Sequence, residues 1–120
     1  MDRAQQRREA TEAFRRYAAH GERADRDEML SPEAWQSDTD VSKTLSVLTA
    51  EGKEYVVEAV REVYFVEPCR PLQKNDIEMR ITRYCVNRCV SRSAVYEHLA
   101  IARKIFWAIA HHKDRKKGTG

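Results

Sequence analysis

Residues Asp76 to His112 read DIEMRITRYCVNRCVSRSAVYEHLAIARKIFWAIAHH. Asn75 or Asp76 can cap a helix that carries Ile77, Ile81, Tyr84 and Cys85 three and four residues apart. Asn87-Arg-Cys-Val90 is too short for anything but a turn. Ser91 can cap a second helix, with Val95, Leu99, Ala102, Phe106 and Ile109 at helical spacing. Two helices joined by a tight turn are the sequence form of a helix-turn-helix. Such a unit needs a small residue where the helices cross, an apolar one in the turn and an apolar one early in the second helix. Cys85, Val90 and Val95 meet these demands. Two positions depart from the usual pattern: Cys89 stands where the turn normally takes Gly, and Arg88 where it takes an apolar residue.

The faces of the second helix suggest a use. Opposite Val95 and Leu99 lie Arg92, Ser93, Tyr96 and Glu97, the candidate base-reading residues. Arg suits the acceptors of guanine, Glu can accept from the cytosine amino group, and Ser or Tyr can bond base or phosphate. Arg80, Arg83, Arg88, Arg103 and Lys104 are candidates for phosphate contacts. Residues 76–120 hold ten Lys and Arg against four Asp and Glu, a balance of +6, whereas residues 1–75 carry −3. A basic C-terminal third suits a polyanion such as double-stranded DNA. Beyond Ala100 the helix is apolar on more than one side, through Ile101, Ile105, Trp107 and Ala108. It therefore needs a cover, either the N-terminal region or a second copy in a homodimer.

Working outward, Glu67-Pro-Cys-Arg-Pro71 breaks whatever precedes it. Residues 41–66 hold two core helices, a short one with Val41, Leu45 and Leu48, and one capped by Thr49. The second carries Val56, Ala59, Val60, Val63 and Tyr64, a core-facing stripe. Residues 21–40 read as an acidic linker, with a short turn at Ser31-Pro32 and Trp35 as its apolar anchor. Residues 1–20 form an N-terminal helix stopped by Gly21, with a narrow stripe of Ala10, Ala13, Phe14, Tyr17 and Ala18. Residues 113–120 read as a basic disordered tail. The expectation is all-α: one small helical domain with a C-terminal helix-turn-helix at 76–112 and a long last helix.

Several classes are excluded. No apolar run approaches the roughly 18 residues of a membrane span, and the Arg- and Glu-rich start lacks a secretory-signal pattern. Three cysteines form no paired framework, which favours a reducing, cytoplasmic setting. Cys85 and Cys89, with Cys69 and His98, are scattered donors that make a poor zinc set, so no metal is expected. The chain has no phosphate-cradling Gly loop, nucleophile elbow or His-Glu-x-x-His. Neither enzyme activity nor a cofactor is expected.

The string Val90-Ser-Arg-Ser-Ala-Val-Tyr-Glu-His-Leu99, followed by Ala102-Arg103, resembles the second half of sigma-factor region-4-like helix-turn-helices. The wider order also carries a resemblance: Leu45-Ser-Val-Leu48, then Tyr55 to Tyr64, the Pro loop and that motif. It is similar to small bacteriophage late-gene regulators, the short antitermination proteins of the Q type and the related RinA and ArpU activators. The resemblance spans about residues 40–110. It implies a DNA-binding transcription regulator in the bacterial host cytoplasm, with RNA polymerase or a sigma factor as second partner. A different class is also open: a helical interaction or oligomerisation module, such as a small packaging or adaptor protein.

Overall fold

A computed structural model describes residues 3–22 and 31–119, with side chains for 3–21 and 31–112. Five helices follow one another: α1 (Arg3–Glu22), α2 (Pro32–Ala50), α3 (Glu54–Tyr64), α4 (Asp76–Arg88) and α5 (Arg92–Thr119). Among the described residues there is no strand.

The long α5 is the centre of the bundle, and the other four helices all pack on it. Its Val95, Leu99, Ala102 and Phe106 are buried, as the spacing predicts. The apolar excess beyond Ala100 is covered from within the chain. Phe14 of α1 packs between Phe106 and Tyr64, with ring centroids 5.5 and 5.6 Å away. Ile101 and Ile105 are half-buried against the same core. The α3 stripe Val56, Ala59, Val60, Val63 and Tyr64 is also buried.

Four boundaries differ from the sequence reading. Ser31 and Pro32 do not open a short turn but the whole of α2. The Ser31 hydroxyl accepts from the Ala34 N–H at 3.2 Å, and Pro32 takes the first helical position. The helix then runs unbroken through Asp38 and Asp40, so residues 31–40 of the expected linker are helical. Residues 23–30 of that linker lie outside the described residues. The polar half of α2 is legible only once α1 is beside it, since Asp38 is bonded by His20 Nδ1 at 2.6 Å. Trp35 is no anchor: it lies off the buried register of Asp40, Val41, Thr44 and Leu48 and is 60% exposed.

Thr49 does not cap α3. It sits in the last turn of α2, where its hydroxyl donates to the Leu45 carbonyl at 3.0 Å. Gly52 ends α2 instead, at φ +76°. Its N–H donates to Thr49 and the Lys53 N–H donates to Leu48, the paired bonds of a Schellman stop. Gly21, expected to stop α1, remains helical, and α1 closes one residue later. At the other end, α5 passes through the stretch expected as a disordered tail. No strong breaker stands there before Gly118, and a basic last turn complements the helix dipole.

The loop between α3 and α4 hangs on two buried guanidiniums. Arg15 of α1 donates to the carbonyls of Tyr64, Val66, Glu67 and Arg70 at 2.6–3.1 Å. Arg80 of α4 donates to the Val63 carbonyl at 2.9 Å. Carbonyls at a helix C-terminus have no partner within the helix, so side chains from α1 and α4 finish α3. Burial, and then the nearby Arg80 charge, lowers the Arg15 pKa from its ordinary value.

Candidate nucleic-acid interface

The α4–α5 junction is built as a tight helix-turn-helix corner. Cys89 adopts φ 55°, ψ 42°, the left-handed conformation that Gly normally supplies. Its N–H and that of Val90 both converge on the Cys85 carbonyl, the second at 3.2 Å. Cys85 and Val90 are half-buried and Val95 is fully buried, so the three residues required by the corner occupy the expected places. The Ser91 hydroxyl accepts from the Ala94 N–H at 3.1 Å and starts α5. At the start of α4 neither expected residue caps in the usual way. Asn75 is left-handed with no side-chain cap, and the Asp76 carboxylate instead accepts from the Gln73 N–H at 2.8 Å.

The corner leaves the first two turns of α5 open. Arg92, Ser93, Tyr96 and Glu97 are all exposed, as is Ala100. Arg92 and Tyr96 are joined by Glu78 of α4. The Arg92 guanidinium donates to Glu78 and to the Thr82 hydroxyl, and the Tyr96 hydroxyl donates to the same Glu78 oxygen. The Arg92 guanidinium also lies 5.8 Å from the Tyr96 ring centroid. Its hydrogen bond with Tyr96 raises the Arg92 pKa, with the Glu78 charge acting the same way more weakly. The first turn of α5 is thus pre-oriented, with its main cation tied to an acid on α4.

The five residues expected at phosphates divide. Arg83 and Lys104 are exposed. Arg88 is exposed but turned toward α3, 3.4 Å from Glu58 and 3.7 Å from Glu62. Such surface pairs are weak, about 0–1 kcal/mol, and open readily to a competing anion. Arg103 is half-buried, and its guanidinium donates to the Tyr64 hydroxyl at 2.9 Å. Arg80 does not join them. It is 7% exposed and committed to the Val63 carbonyl, so its charge serves the α3–α4 loop.

Sequence reasoning missed two cations. Arg3 and Arg7 of α1 line a cleft together with Arg103 and Lys104. Their i, i+4 spacing marks them as one face of α1, but only the docking of α1 on α5 shows what that face meets. The scattered thiols stay apart. Cys69 and Cys89 are exposed, Cys85 is half-buried, and the His98 ring meets Tyr55 edge-on at 4.8 Å. Among the described residues no three His, Cys, Asp or Glu side chains gather as a metal site. None of the described helices is long and apolar enough to cross a membrane. No protein-family model, curated protein or solved structure matches the chain.

Proposed function

We propose that the protein is a DNA-binding transcription regulator that reads duplex DNA with the start of α5, in the manner of small phage late-gene antiterminators or activators. RNA polymerase or a sigma factor is the second partner in this reading. One observation carries it. The left-handed Cys89 turn and the Ser91 cap set the first turns of α5 on a buried base of Val95 and Leu99, with Arg92, Ser93, Tyr96 and Glu97 facing out. A rigid helix start with an Arg, a Tyr and a Glu on its open face matches what base edges in a major groove require. Arg92 is brought to that face already aimed, and transfer from Glu78 to a guanine edge exchanges one acceptor for two.

The test is selection from a pool of random duplexes, followed by titration of the selected and a random duplex at several salt concentrations. Binding should weaken steeply with salt. Arg92→Ala should cost about 1–3 kcal/mol on the selected duplex and little on the random one. Equal losses on both would remove Arg92 from the reading face.

The interaction-module reading draws on a different observation. Met79 is 60% and Val86 72% exposed, seven residues apart on the outer side of α4. Apolar docking through that face would be nearly insensitive to salt, which separates the two readings.

A further inference from the structure

Where α1 crosses α5, a cleft of ≈ 410 Å³ is lined by Arg3, Gln6 and Arg7 of α1 and by Ala100, Arg103 and Lys104 of α5. Four of these six residues are cationic and none is acidic. Two features distinguish the cleft from an ordinary solvated charge run. Arg3 and Arg7 extend, at helical spacing, the stripe that carries Ala10 and Phe14 into the core. The register of α1 that faces α5 therefore turns from apolar to basic where α1 overhangs the open face of α5. The carboxylates of α1 do not answer these cations. Glu9 and Glu12 line a separate groove against α2, and Glu9 pairs with His111 at 3.1 Å. Among the described residues Arg3, Arg7 and Lys104 have no ion-pair partner. Like charges collected on both walls of a cleft repel until an anion lies between them.

We propose that this cleft binds a phosphate of the DNA backbone, making α1 a second, sequence-independent contact element beside the helix-turn-helix. The inference rests on the reading of α5 as the recognition helix and specifies where its flanking phosphate sits. Arg103 follows Arg92 by three turns on the same face of α5, about 16 Å along the axis at ~1.5 Å per residue. A major groove is ~12 Å wide. A helix that reads base edges with its first turn carries the cleft to the groove rim, where the sugar-phosphate backbone runs. Guanidiniums from two helices offer forked donors to one phosphate. Arg103 is already steadied by the Tyr64 hydroxyl.

The test uses the full chain, with the selected and random duplexes titrated across salt. Arg3→Gln combined with Arg7→Gln alters two exposed side chains, and circular dichroism should show the fold retained. Affinity should fall about tenfold or more at ~0.1 M salt on both duplexes alike, and the slope of log K against log salt should shrink by about 2. The ratio of selected to random affinity should not move. A control pair of equal charge loss on exposed sites, Lys43→Gln with Arg61→Gln, should leave affinity within about twofold. If the wild type binds and the Arg3/Arg7 variant keeps its slope, the cleft assignment is overturned and the recognition reading survives. An equal loss in the control pair also overturns the cleft, because the effect would then belong to net charge. A wild type that binds no duplex at low salt, or binds only single-stranded RNA, overturns both.

Discussion

Cys89 takes a conformation that costs an L residue with a Cβ about 1–2 kcal/mol. It does so because the 89 and 90 N–H groups must both turn back to Cys85 for α5 to leave at the right angle. Cys89→Gly should therefore stabilise the fold. The gain is reduced to several tenths of a kcal/mol by the larger unfolded-state entropy of Gly, about 0.4–1 kcal/mol. Thermal melts of the two proteins measure it, and a loss of 1 kcal/mol would contradict the turn. Arg15 is the opposite kind of residue, a charge whose value comes from burial. Replacing it with Met keeps the stem and abandons four carbonyls, so we expect a loss of about 2–4 kcal/mol. Arg15→Lys should recover only part of this, because an ammonium is a point donor and cannot span the fork. Denaturant melts check both, and a loss below 1 kcal/mol for Arg15→Met would show that water can satisfy the loop.

At the level of the helix pair, Glu78 sets the state of the α5 face. It holds Arg92 and Tyr96 together in the free protein and neutralises the charge that would otherwise attract any phosphate. Glu78→Ala should release Arg92. Affinity for random duplex should rise several-fold and the salt slope steepen by about 1, while discrimination between selected and random duplex falls. Parallel titrations of both duplexes read this directly. Improved discrimination would mean that Glu78 competes with base reading rather than tuning it. The pair also shows why local signals succeeded here. Ser91, Val90, Cys85 and Val95 act within one corner, and each role depends on neighbours close in sequence.

For the molecule as a whole, α1 is structural before it is anything else. Phe14 is fully buried between Phe106 and Tyr64, and Ala10 and Ala13 close the seam against the bundle. Phe14→Ala should cost about 3–5 kcal/mol, the range for a buried Phe whose site cannot collapse. A chemical-denaturation curve measures it, and a cost under 1 kcal/mol would mean that α1 is not docked as described. The same docking gathers Arg3 and Arg7 onto α5, so loss of α1 packing should also lower DNA affinity without changing sequence preference.

Periodicity and punctuation alone specified the all-helical class, the buried stripes of α3 and α5, and the α4–α5 corner. These features rest on interactions within a few residues, and the residue types declare them. Position 89 was legible as a strained turn before any coordinate. The amphipathic signal failed where a helix is polar and its partner lies far off in the chain. α2 was read as linker because Asp38 and Asp40 look solvated, whereas His20 and the bundle receive them. Arg80 and Arg15 looked like surface charge, and only the approach of the α3 carbonyls, 17 and 49 or more residues away, turned them inward. Tertiary structure also decided which cations share a surface. Arg3 and Lys104 are at opposite ends of the sequence, and they meet because the apolar stripe of α1 must bury itself on α5.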